Sequence, residues 1–297
     1  MGCTACYAWG DDIDESFFRE QADVVIDRLG GVDIDFSIVA VQSPDDCGAA
    51  AESVPVDDPV AFQEECRTAD TSVSIRSGGE EYIIIRAGRA FIRENAGALR
   101  GLLAHEIMHT VQREAGMGET VERIAKDQED VMIEKLSDAG LSDDEIQRFV
   151  YTVFQTAIFA VKDIRANTAL IDRGFTADLE EYYRHMIGVD DFCPAPDFYG
   201  ESADVSEVED AITFELGLLP AWLPFKHLGR EASNEIRDRI AECYETDLPD
   251  VAAFVQELEE TYTATYYDMD ELTAAFMGQV IDRAVTLLTH ATTGGDG

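Results

Sequence analysis

Strand signals in this chain of 297 residues all fall before residue 87, and that confinement limits the fold more than any other feature. Phe36 to Gln42 (FSIVAVQ) has the β-branched density of a buried strand. Thr71 to Arg76 and Glu81 to Arg86 flank Ser77-Gly78-Gly79-Glu80, a hairpin signature. Around them, Glu15 to Leu29 reads as an amphipathic helix closed by Gly30-Gly31, and Pro59 to Arg67 as a short helix. After Ala96-Gly97 the pattern is almost wholly helical. One helix runs to about Gly116, and others are expected at Glu119 to Asp138, Ser142 to Arg173, Thr176 to Met186, Ser206 to Leu216, Arg230 to Glu245, Val251 to Tyr262 and Asp268 to Thr289. A chain patterned this way can build only a small N-terminal sheet, followed by a predominantly α-helical remainder, so the expected class is α+β. Cys193-Pro-Ala-Pro-Asp-Phe-Tyr-Gly200 is the best boundary, dividing a core at 1–192 from a helical C-terminal extension at 193–297.

Charge sets the partners. Asp and Glu number 61 against 22 Lys and Arg, a formal net charge of -39. Phosphate binding needs a basic surface, so nucleic acid is not an expected partner, and an anionic membrane is disfavoured for the same reason. The acids are spread along the chain and not gathered into an arm. Only Lys126, Lys135, Lys162 and Lys226 are lysines. This composition resembles that of cytoplasmic proteins from salt-in halophilic archaea, where molar salt screens self-repulsion. The opening MGCTACYAWGDDIDESFF lacks the basic region of a secretory signal, and the apolar run Phe149 to Val161 is too short for a bilayer. A cytoplasmic protein is expected, with its six cysteines as thiols. Cys3-x-x-Cys6 is half a zinc knuckle, but no second C-x-x-C pair completes it.

The helix after Ala96-Gly97 carries His105-Glu106-Ile107-Met108-His109, the spacing H-E-x-x-H. On an α-helix, positions i and i+4 lie on one face about 6 Å apart, so His105 and His109 can bind one ion from the same side. Glu106 is displaced around the helix, where it can reach a water without ligating the ion. Hydrolytic zinc chemistry needs this set: neutral imidazoles, a third ligand, an open position and a base. Leu99, Leu102, Leu103, Ile107 and Val111 make the surrounding helix largely apolar.

The segment from about residue 70 to 118 resembles the active-site helix of zincin metallopeptidases, in which a small sheet precedes a helix carrying this motif. The resemblance implies His105 and His109 as zinc ligands and Glu106 as general base and proton shuttle. It also implies a zinc-dependent peptidase acting on a peptide or protein substrate through a zinc-polarised water, and the composition makes an intracellular one the expectation.

The third ligand needs another element. The continuation H-E-x-x-H-x-x-G-x-x-H of metzincins is excluded, because Gln112 stands at the glycine and Ala115 at the histidine. Glu114 lies nine residues past His105, roughly 13 Å along the axis, and cannot share the ion. Glu119 and Glu122 on the next helix are candidates. So is Asp163 in AIFAVKDIRANTALI, where it interrupts an apolar face with Asn167 one turn later. Asp163 and Asn167 resemble, with Asp for Glu and Asn for Asp, the E-x-x-x-D element of gluzincins. There the first acid binds zinc and the second orients a ligand histidine. That resemblance favours Asp163, with Glu119 and Glu122 as rivals.

A peptidase also needs a donor for the developing oxyanion. Glu180-Glu-Tyr-Tyr-Arg-His185 offers Tyr183 and His185 as candidate stabilisers. The alternative to an enzyme is a non-proteolytic zinc protein, structural or regulatory, with a closed zincin-like site. The oligomeric state, the substrate and the choice of endo- or exopeptidase have no signal in the residues.

Overall fold

The early strand signals condense into one four-stranded sheet in the order β1-β2-β4-β3. In the computed structural model the described residues are 2–30, 35–69, 71–88, 90–137, 141–188, 205–243, 251–266 and 268–293. The strands are β1 (Gly2–Trp9), β2 (Asp35–Val41), β3 (Ser72–Ser77) and β4 (Glu80–Arg86). β2 is parallel to both β1 and β4, and β3 closes the edge antiparallel to β4 through the expected hairpin. Gly78 and Gly79 both have positive φ (62° and 82°), the conformation a two-residue hairpin turn needs and other side chains resist.

β2 is buried from Phe36 to Val41 because the sheet is covered on both faces. Val39, Val41, Tyr82 and Ile84 share a core with α2 (Cys47–Ser53) and α3 (Pro59–Thr68). The alternate residues Ile38, Ala40, Ile83 and Ile85 point to the opposite face, where α1 (Glu15–Leu29) and α5 (Ala96–Glu114) pack. The short α4 (Ala90–Glu94) leads into α5.

Two features depart from the sequence reading. The opening segment, which the sequence pattern assigned to no element, is strand β1. It has few β-branched residues, and its pairing with β2 is what orders it; a register shift at Cys3/Ala5 lets Thr4 Oγ1 donate to the Phe36 carbonyl at 2.8 Å. The second correction concerns the thiols. Cys47 and Cys66 form a disulfide, with Cα atoms 5.8 Å apart, inside the core between α2 and α3. Packing of both helices on one sheet face brings them together, and their separation of 19 residues matches no motif that would have announced it. Among the described residues Cys3 and Cys6 are free thiols, and burial pushes Cys6 up to about 12.

By its contacts the chain divides into two compact units, one of Met1–Ala115 with Thr168–Met186 and the other of Gly116–Asn167 with Ile187–Gly297. The expected boundary at 192/193 falls outside the described residues. The later helices are α6 (Met117–Leu136), α7 (Asp143–Asp172), α8 (Thr176–Ile187), α9 (Val205–His227), α10 (Ala232–Cys243), α11 (Val251–Ala264) and α12 (Met269–Thr293). α9 runs eleven residues past the expected end at Leu216, through Pro220 and Pro224. Proline has no N–H, so Pro224 cannot donate to the carbonyl of Pro220 one turn back. Asn167 Nδ2 on α7 donates to that carbonyl instead, at 2.8 Å. α12 packs on α6 and α9, and its Arg283 forms a two-pronged buried ion pair with Glu215 (2.7 and 3.1 Å). No helix among the described residues is long and apolar enough to cross a membrane.

Candidate metal centre

α5 starts where Asn95 caps it, its side chain accepting from the Ala98 N–H at 3.0 Å. Gly101 then lets α8 approach closely: a Cβ there would stand 2.8 Å from the Asp178 carbonyl carbon and 3.0 Å from Tyr182 Cβ. Arg28 and Arg100 fasten the same turn of α8 by gripping Asp178, at 2.5 and 2.9 Å. Clamped between the sheet, α1 and α8, α5 is buried almost continuously from Gly97 to Met108. His105 therefore stands on a buried helix face, where an unpartnered polar group is costly.

His105 and Glu106 are both 6% exposed, and His109 is half-buried. The two imidazoles meet at 90°, with Nε2 facing Nε2 at 2.9 Å. The far nitrogen of His109, Nδ1, lies 3.3 Å from Gln112 Oε1. Glu106 Oε1 accepts a hydrogen bond from Ser72 Oγ at 2.6 Å, at the start of edge strand β3.

Asp163, on the helix α7 that runs continuously into the unit holding α5, completes a group with His105 and His109. One ligand atom from each lies within 4.8 Å of the other two, so these three residues could hold a metal ion. The donor set suits zinc. Donors of a tetrahedral zinc, at bond lengths of about 2.0–2.2 Å, stand roughly 3.3–3.6 Å apart. The imidazole pair at 2.9 Å needs only a small rotation to open to that spacing.

The other expected residues are placed as follows. Glu119 and Glu122 are exposed on α6 and outside this group, and Glu122 accepts from Lys162 Nζ at 3.1 Å. Asn167 reaches the Pro220 carbonyl. Tyr183 and His185 are half-buried on α8, with Tyr183 tilted against Tyr182 at 4.9 Å. Thr71 Oγ1 donates to Met186 Sδ at 3.5 Å, which brings that end of α8 to the residue preceding Ser72.

Two contacting residues were given no role at the site by the sequence reading. Gln112 was legible in principle, since it lies three residues past His109, a spacing that makes helical neighbours. Ser72 had no local signal, because only the docking of β3 against α5 brings it to Glu106.

No protein-family model matches the chain, and comparison with curated proteins and with solved structures likewise finds no match.

Proposed function

We propose that the protein is a zinc-dependent metallopeptidase, with His105, His109 and Asp163 as the ligands and Glu106 as the general base. The observation that carries this reading is the convergence of two imidazoles and a carboxylate beside a buried glutamate that is not one of the group. Zinc bound there would act as a Lewis acid and bring the pKa of a water near neutrality. Glu106 takes the proton of the attacking water and passes it to the leaving amine. Ser72 holds Oε1 of that carboxylate, which leaves Oε2 for the proton. Tyr183 and His185 are the candidates for steadying the oxyanion, since their helix ends beside Thr71.

A second reading, a closed zinc site without proteolysis, is favoured by the burial of Glu106 and its engagement with Ser72. Zinc content and peptide cleavage, measured together, separate the two. Protein purified without a histidine tag should carry near-stoichiometric zinc, lost in His105→Ala and kept in Glu106→Gln. Loss of a positioned base costs about 10²- to 10⁴-fold in rate, so Glu106→Gln should silence cleavage of a peptide library. A zinc-loaded wild type that cleaves nothing in the library would favour the closed site, and a folded wild type that takes up no zinc would end both readings.

The acidic composition supports a cytoplasmic setting in high salt. The Cys47–Cys66 disulfide argues for an oxidising compartment. Thiol titration of freshly isolated, denatured protein decides between them.

A further inference from the structure

We infer that Gln112 is a positioning residue that presets His109 for metal and makes the two histidines unequal, an inference that rests on the metal-centre reading above. The contact between His105 Nε2 and His109 Nε2, at 2.9 Å, is attractive only if one nitrogen carries a hydrogen and the other a lone pair. Gln112 favours one of the two arrangements. Its Oε1, 3.3 Å from His109 Nδ1, can only accept, so Nδ1 carries the proton and a neutral His109 is left with a bare Nε2. His105 must then hold its hydrogen on Nε2 and donate it to His109.

A metal ion held by both Nε2 atoms would require that shared hydrogen to leave. His109 needs no change of tautomer, whereas His105 must move its proton to Nδ1 before its Nε2 can bind.

Gln112 suits the task for two reasons. It is buried on the same helix as His109, so backbone pitch and packing fix its reach. It is also uncharged. A carboxylate here would add to Glu106 and Asp163 in a chain already at -39, whereas an amide oxygen selects the tautomer without further charge. Asn167, which the sequence pattern put forward for this role, donates to a carbonyl on α9.

The test uses the full chain in high salt, with zinc as the probe. Two-bond ¹H–¹⁵N spectra of the metal-free wild type should show His109 protonated on Nδ1 and His105 on Nε2. Gln112→Leu should abolish the His109 preference and weaken zinc binding about 10- to 100-fold in competition with a chromogenic chelator. Gln112→Glu, which keeps an acceptor oxygen at the same reach, should restore affinity to within a few-fold of wild type. The wild-type spectrum alone is decisive if the leucine variant fails to fold: His109 protonated on Nε2 would overturn the inference. Unchanged zinc affinity and an unchanged tautomer in a folded Gln112→Leu would overturn it as well. A wild type with the assigned tautomers but no zinc uptake would sink the metal centre and leave the hold of Gln112 on His109 established.

Discussion

Replacing Asn167 by alanine should make the protein easier to unfold while leaving metal in place. Asn167 is 1% exposed and its amide donates to Pro220 O at 2.8 Å. That carbonyl would ordinarily accept from the residue four positions on, but the residue there is Pro224. Losing the amide strips the carbonyl of this donor in a buried place, which costs about 1–3 kcal/mol. The vacated side-chain volume adds about 1 kcal/mol more, so the whole effect should be about 2–4 kcal/mol. Urea denaturation at fixed molar KCl measures it, and a chelator competition run in parallel should find zinc affinity within a few-fold of wild type.

The freed carbonyl can be tested in a second background. Pro224→Ala returns an N–H to the position that can bond Pro220 O, so Asn167→Ala should cost about 1–2 kcal/mol less in that background. Equal costs in both backgrounds would refute the account of the freed carbonyl. An Asn167→Ala protein as stable as wild type but with tenfold weaker zinc binding would return Asn167 to the role of orienting a histidine.

Other outcomes follow from the same geometry. Gly101→Ala should destabilise by about 1–3 kcal/mol despite alanine's better helix propensity, because its methyl meets the Asp178 backbone; a stabilised variant in thermal melts would contradict the close packing of α5 and α8. Asp163→Ala should strip zinc while Glu122→Ala leaves it bound, and the reverse ranking by elemental analysis would move the third ligand to α6. The midpoint of thermal unfolding should climb steeply as KCl approaches molar concentration, since 61 acids face only 22 basic groups; a midpoint indifferent to salt would rule out self-repulsion as a limit on stability.

The parts of the fold legible in the residues were those with a local cause. The hairpin β3–β4 was marked by paired glycines, and α7 by its helical pattern from Ser142, where the Ser142 hydroxyl donates to the Glu145 carboxylate at 2.6 Å. What escaped had non-local causes. β1 is a strand because β2 lies beside it, and Cys47 finds Cys66 because two helices share one sheet face. α9 continues through two prolines because a side chain from α7 meets the carbonyl that one of them frees. At the centre, helical spacing alone places His105 and His109 together, whereas Ser72 reaches Glu106 only through tertiary packing.

How this chain treats its buried carboxylates bears on what belongs at that centre. A buried carboxylate is costly unless a cation or strong donors meet it, and here cations are scarce. Arginines are nevertheless committed to such groups: Arg28 and Arg100 to Asp178, Arg76 and Arg113 to Glu81, and Arg283 to Glu215. Even so, burial holds Glu215 above the usual carboxylate range, with Arg283 opposing the shift. Glu106 is as buried as Asp178, yet the partner that meets it is the hydroxyl of Ser72. On either side of it along α5 are the two imidazoles that group with Asp163. A divalent cation at that point would add positive charge beside Glu106 and Asp163. The expected consequence is a coupling between metal and fold: chelation should lower the unfolding midpoint of the wild type, and Asp163→Asn, which removes one of the two charges, should shrink that loss. A wild type whose melting is untouched by chelator, after elemental analysis confirms that zinc was present and was removed, would mean that the carboxylates are stabilised without it.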